Sequence, residues 1–110
     1  MNLPTPLRAI VADDEYYARQ RILKLLEGEP GVRVVAECAN GTETVDGILK
    51  HRPDVVFLDI QMPELDGFGV LESIGPERMP PTIFTTAYDQ HAIQAFECNA
   101  VDYLLKPIDA

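Results

Sequence analysis

Asp13, Asp14, Asp59, Thr86 and Lys106 carry the groups from which this chain could build a reactive centre: three carboxylates, a hydroxyl and an ammonium. Each stands at the end of a short apolar run: Ile10-Val11-Ala12 before the acidic pair, Val55-Val56-Phe57-Leu58 before Asp59, Ile83-Phe84-Thr85 before Thr86, and Leu104-Leu105 before Lys106. Such runs, bounded by turn residues, read as strands buried on both faces. In an open parallel sheet the functional groups gather beyond the carboxyl ends of the strands. Asp59 by itself could merely open a turn, as Asp commonly does. With the other groups beside it, a different chemistry follows. Carboxylates brought together repel, each pair costing about 4 kcal/mol at about 4 Å and an effective dielectric of roughly 20. Something positive must offset that. Oxygen ligands without histidine or thiolate point to a hard cation, and Mg²⁺ commonly takes one or two carboxylates plus water and phosphate oxygens. The backbone carbonyl of Gln61, two residues after Asp59, is placed to add another oxygen. A carboxylate, a divalent metal, a lysine and a hydroxyl are what phosphoryl transfer to an aspartate requires: the carboxylate attacks while the others hold the equatorial oxygens.

The elements that must position these groups follow from periodicity. Strands are predicted at Arg8 to Ala12, Val32 to Cys38, Val55 to Asp59, Thr82 to Thr86 and Asp102 to Leu105, the second at an edge. A first helix should run from Tyr16 to Leu26, burying Ala18, Ile22, Leu25 and Leu26, with Arg19 and Lys24 off that stripe. The acidic triplet Asp13-Asp14-Glu15 suits its positive end. A second helix opens at Asn40, with Glu43 three residues on as in a capping box, and buries Val45, Ile48 and Leu49 until Pro53 stops it. Phe68, Leu71 and Ile74 mark a short third helix ended by Gly75-Pro76. A fourth, starting near Asp89, turns Ala92, Ile93, Phe96 and Ala100 inward. Strands alternating with helices make an α/β fold: a doubly wound, five-stranded parallel sheet with right-handed crossovers.

Composition narrows the partners. The net charge of −9 argues against a nucleic-acid grip within these 110 residues, because phosphate contacts need a basic face. The Arg19-Gln20-Arg21 stretch reads as a solvated helix face. No stretch is apolar enough to span a bilayer, and no signal peptide or lipidation box is visible, so the expectation is a cytoplasmic protein without a membrane partner. Cys38 and Cys98 have no metal spacing and are expected as reduced thiols. His51 and His91 are expected at the surface, and Met62 in packing.

The set Asp13-Asp14-Glu15, Asp59 with Met62-Pro63 and Asp66-Gly67, Thr86-Ala87 and Lys106-Pro107 resembles the receiver domain of two-component response regulators. The similarity covers nearly the whole chain. Thr86-Ala87-Tyr88-Asp89 and Asn99-Ala100-Val101-Asp102-Tyr103-Leu104-Leu105-Lys106-Pro107 are most similar to receivers that precede LytTR-type DNA-binding domains. The resemblance implies a flavodoxin-like strand order 2-1-3-4-5 and a phosphoacceptor that assists its own phosphorylation rather than an enzyme. Asp59 would take a phosphoryl group from a phosphohistidine on a sensor histidine kinase. Asp14, Asp59 and the Gln61 carbonyl would bind Mg²⁺ directly, with Asp13 close by or acting through water. Lys106 would pair with Asp59 before phosphorylation. Thr86 would swing toward the phosphoryl group, Tyr103 would turn inward, and Pro107 would follow a cis peptide bond.

The resemblance also implies a fifth helix beside the first, whereas the sequence stops at Asp109-Ala110. Residues 1–110 are therefore expected to be a receiver cut short of its last helix, with the output domain absent. An apolar strip on the first-helix side is expected to lie uncovered, open to a second copy in a homodimer, with DNA reached only through the missing domain. Two other function classes fit less well. A flavin or nucleotide site would need a Gly- or Ser/Thr-rich first loop where Asp13-Asp14-Glu15 stands. An aspartyl phosphohydrolase would need a general acid at Gln61.

Overall fold

A computed structural model describes residues 5–87 and 102–106. Within them lie eight elements: β1 (Leu7–Ala12), α1 (Tyr16–Glu27), β2 (Val32–Cys38), α2 (Gly41–His51), β3 (Val55–Asp59), α3 (Gly67–Ile74), β4 (Thr82–Thr86) and β5 (Asp102–Leu105). The strands form one parallel sheet in the order β2-β1-β3-β4-β5. This is the doubly wound fold and strand order expected above, with β2 at an edge. The fourth helix, His91, Cys98, Pro107 and the side chain of Tyr103 lie outside the described residues.

Alternation along the strands builds two cores. Ile10, Ala12, Val56, Leu58 and Phe84 point to the α2–α3 side, where Ile48, Val70, Ile74 and Met62 meet them. Ala9, Val11 and Phe57 point to the other side, against Ile22 and Leu26 of α1. The long apolar runs of β1 and β3 thus serve both layers at once, which is why they show no polar alternation. Beside α1, Val55 and Ile83 are half-buried, while Phe57 is 8% exposed.

Two leucines depart from expectation. Leu25 is 40% exposed and Leu49 is 49% exposed. Each flanks a buried neighbour, Leu26 and Ile48, and one residue along a helix is a turn of about 100°. The sheet presses only on the narrow ridge through Ile22 and Leu26 in α1 and through Thr44 and Ile48 in α2, so flanking positions face water.

The helix starts are chemically specified. Asn40 Oδ1 accepts from Glu43 N–H at 2.8 Å, and Glu43 Oε1 accepts in return from Ala39 N–H at 3.0 Å. The box therefore closes one residue upstream of the cap itself. Asp66 Oδ1 accepts from Gly69 N–H at 2.8 Å and starts α3. Asn40→Ala should lower stability by about 1 kcal/mol, read as the shift of the urea midpoint.

Candidate functional site

β1 and β3 are neighbours, with Ala12 beside Leu58, so Asp13, just past β1, and Asp59, the last residue of β3, emerge side by side. Oxygens of Asp13, Asp14 and Asp59 lie within 4.8 Å of one another. Asp13 is fully buried and Asp59 is 3% exposed, whereas Asp14 is exposed and opens the cluster to solvent. β4 and β5 are paired on the other side of β3, with Thr86 opposite Leu105. The Lys106 N–H donates to the Thr86 carbonyl at 2.6 Å, which extends the ladder and aims the lysine back at the acids. Lys106 Nζ lies 2.8 Å from Asp13 Oδ2 and 3.5 Å from Asp59 Oδ2. Thr86 is buried at the end of β4. The Gln61 N–H donates to Asp59 Oδ1 at 3.2 Å, which ties the following loop to the Asp59 carboxylate.

The structure thus brings Asp13, Asp14, Asp59 and Lys106 into one cluster, with Gln61 and Thr86 at its border. Lys106 reaches Asp59, its expected partner, at 3.5 Å and lies nearer still to Asp13, at 2.8 Å. The lysine enters from the β5 side with two carboxylates in reach, and the more deeply buried one has the greater need of a counter-ion.

Electrostatics of the cluster follow from burial. Asp59 is pushed up to about 7, first by burial, which disfavours its charge, then by the charge of Asp13; Lys106 and the Gln61 N–H pull the other way. Burial acts to lower Lys106, but the carboxylates of Asp13, Asp59 and Glu15 outweigh it and hold the ammonium above the ordinary lysine range. With Asp59 ionised, one ammonium faces three carboxylates, an excess matching the charge of one divalent ion. The donors are all oxygen, so the residues fit a hard cation such as Mg²⁺. Burial and the charge of Asp13 together outweigh the pull of Lys106 on Asp59.

Residues 9–110 match the response regulator receiver domain family. The chain belongs to that family. It is 50% identical over 103 residues to a response regulatory protein of Yersinia pestis, covering 94% of this chain and 43% of that one. It is 46% identical over 103 residues to the transcriptional regulatory protein BtsR of Salmonella typhi, with the same two coverages of 94% and 43%. The chain therefore spans less than half the length of these curated relatives. Among solved structures, the signal receiver domain of the response regulator NarL from Mycobacterium tuberculosis superposes with a TM-score of 0.85 at 32% identity, covering 96% of this chain and 87% of that one. The receiver domain of AraT, a response regulator from Geobacillus stearothermophilus, gives 0.84 at 36% identity, with coverages of 94% and 83%. Receivers are signalling modules of two-component regulators rather than conventional enzymes.

One position beside the cluster, Arg19, is not singled out by the sequence. Arg19 was assigned to a solvated face, yet its side chain is 14% exposed, because it folds over the first loop toward β2. Its position six residues after Asp13, with Glu37 on an adjacent strand, was the available signal. Gly67 belongs to the Asp66-Gly67 pair on which the resemblance draws, and its packing shows what a side chain there would meet. A Cβ there would sit 2.7 Å from the Asp59 carbonyl oxygen, so glycine sets how closely α3 approaches the end of β3.

Proposed function

We propose that this receiver is a phosphorylation-dependent switch in which Asp59 is the phosphoacceptor. The observation that carries the reading is the convergence of Asp13, Asp14 and Asp59 within 4.8 Å, opposite Lys106. In the proposed reaction an Asp59 oxygen attacks phosphorus, and an acyl-phosphate bond forms. The bond from phosphorus to the imidazole nitrogen of a kinase phosphohistidine breaks, and that nitrogen keeps the electron pair. Asp13, Asp14, Asp59 and the Gln61 carbonyl would hold Mg²⁺, which supplies positive charge for the phosphoryl oxygens and favours the ionised, nucleophilic form of Asp59. Lys106 would turn from the carboxylates to the phosphoryl group, and the Thr86 hydroxyl would donate to it.

The switch rests on the same contacts. Moving a two-state equilibrium from mostly off to mostly on takes about 5.5 kcal/mol of differential binding. A few charge-assisted hydrogen bonds at about 1.5–3 kcal/mol each reach that range. Thr86 and Lys106 sit at the ends of adjacent strands, so their inward movement would shift β5 and Tyr103, and with them the following Pro107. The expected output is a homodimer that presents a LytTR-type DNA-binding domain beyond residues 1–110. Support comes from the Asn99–Pro107 sequence and from the transcriptional regulator among the longer relatives.

Incubation with a small phosphodonor and Mg²⁺ should add one phosphoryl group by intact mass. The same mixture without Mg²⁺ should add almost none. Uptake that persists in Asp59→Asn, or that ignores Mg²⁺, would sink the proposal.

A further inference from the structure

Asp13 is gripped at four atoms. Its N–H donates to the Cys38 carbonyl at 3.0 Å, Oδ1 accepts from Glu15 N–H at 2.9 Å, and Oδ2 faces Lys106 Nζ at 2.8 Å. The fourth contact is Arg19 Nη1, which donates to the Asp13 carbonyl oxygen at 2.8 Å. The same guanidinium turns its Nε to Glu37 Oε1 at 3.2 Å, and its Cζ lies 5.6 Å from the centre of the Tyr16 ring. Gln20 Nε2 adds a longer contact to the same Glu37 oxygen at 3.4 Å. Glu37 belongs to the edge strand β2, in register with Val11 of β1.

A planar guanidinium holds its donors in a rigid fork, so fixing one end against Glu37 fixes where the other end points. The peptide it grips joins Asp13 to Asp14, the two residues that bring carboxylates from β1 to the cluster. We infer that Arg19 and Glu37 form a strut that positions the Asp13–Asp14 peptide for metal binding. Both are positioning residues: neither is a ligand, and they act through the backbone that carries two of the ligands. This inference rests on the phosphoacceptor reading above and adds to it the residues that tune its metal affinity.

The sign of the effect separates geometry from charge. Removing a cation near an acidic cluster should by Coulomb's law strengthen Mg²⁺ binding, whereas loosening the peptide that carries the ligands should weaken it. Outer supports of metal ligands commonly change affinity about 10- to 100-fold. Calorimetric titration of the 110-residue chain with MgCl₂ should therefore show Arg19→Gln binding roughly tenfold more weakly than wild type. Glu37→Ala, at a side chain 46% exposed and therefore safe for folding, should show a smaller loss in the same direction. Arg19→Lys keeps the charge but cannot serve both acceptors at once, and should stay weak. A merely structural role would lower the melting temperature and leave the dissociation constant alone. Unchanged or tighter Mg²⁺ binding in Arg19→Gln and Glu37→Ala overturns the strut, as does full recovery in Arg19→Lys. A wild-type chain that binds no Mg²⁺ and gains no phosphoryl group overturns the phosphoacceptor reading itself. Wild-type binding with indifferent variants overturns the strut alone.

Discussion

Asp59→Asn is expected to stabilise the metal-free domain by about 1–3 kcal/mol above pH 7 while abolishing phosphoryl uptake. The carboxylate is nearly sealed from water and sits beside Asp13, so its folded value rises to about 7 from an ordinary 3.8. Between those two values the folded chain keeps a proton that the unfolded chain has released. By linkage, stability falls as pH climbs through that window and then levels off once both states are ionised. The neutral amide carries no such penalty. Part of the gain is returned because Lys106 loses one of its two carboxylate neighbours, 3.5 Å away. Wild type and variant should therefore have similar urea midpoints near pH 4 and diverge toward pH 8, the variant being the more stable. Added Mg²⁺ should raise the wild type, since a ligand that binds only the folded state stabilises it. It should raise the variant far less. Equal midpoints at pH 8 without metal would show that the cluster is not under electrostatic strain.

Gly67→Ala should destabilise the domain by about 2–3 kcal/mol and weaken its hold on Mg²⁺. The new methyl carbon would lie 2.7 Å from the Asp59 carbonyl oxygen, 3.0 Å from Ile60 Cα and 3.3 Å from the Asp59 carbonyl carbon. All three are backbone atoms, so no side chain can swing aside. The Gly67 N–H also donates to the Ile60 carbonyl at 2.8 Å, which pins α3 against the strand end. Relief requires moving either the helix start or the Asp59–Ile60 peptide, and the second shifts Asp59 itself. Gly31→Ala provides the control: nothing lies within 4 Å of its Cβ position, and the expected change stays within about 0.5 kcal/mol. Denaturant titration reads the stability of both, and calorimetry with MgCl₂ reads the site. A Gly67→Ala protein as stable as wild type would mean that α3 does not brace the end of β3.

The two positions illustrate how a receiver is constrained from different directions. Burial and a neighbouring acid hold Asp59 in a state of poor stability, which in the proposed reaction readies it for a cation and then for a phosphoryl group. Gly67 has no reactive group at all, yet it sets where that carboxylate stands. Arg19 belongs to the second kind, working through the peptide that carries Asp13 and Asp14.

Local sequence determined the strands, the described helices and the two specified helix starts, because each depends on groups within a few residues of one another. The apolar run into Asp59, the ridge through Ile22 and Leu26, and the pairing of Asn40 with Glu43 are of this kind. The identity of the clustered residues was legible too, since each follows a strand and parallel strands end on the same side of a sheet. Tertiary structure alone decided the rest. Which carboxylate Lys106 sits closer to depends on the meeting of β1, β3 and β5, strands separated by dozens of residues and set by order and register. The exposure of Leu25 and Leu49 depends on how narrow a ridge the sheet accepts. Arg19 became part of the site because β2 pairs beside β1 and brings Glu37 within 3.2 Å of it. Periodicity records which face of an element is apolar; it holds no distance between side chains on different elements, and chemistry depends on that distance.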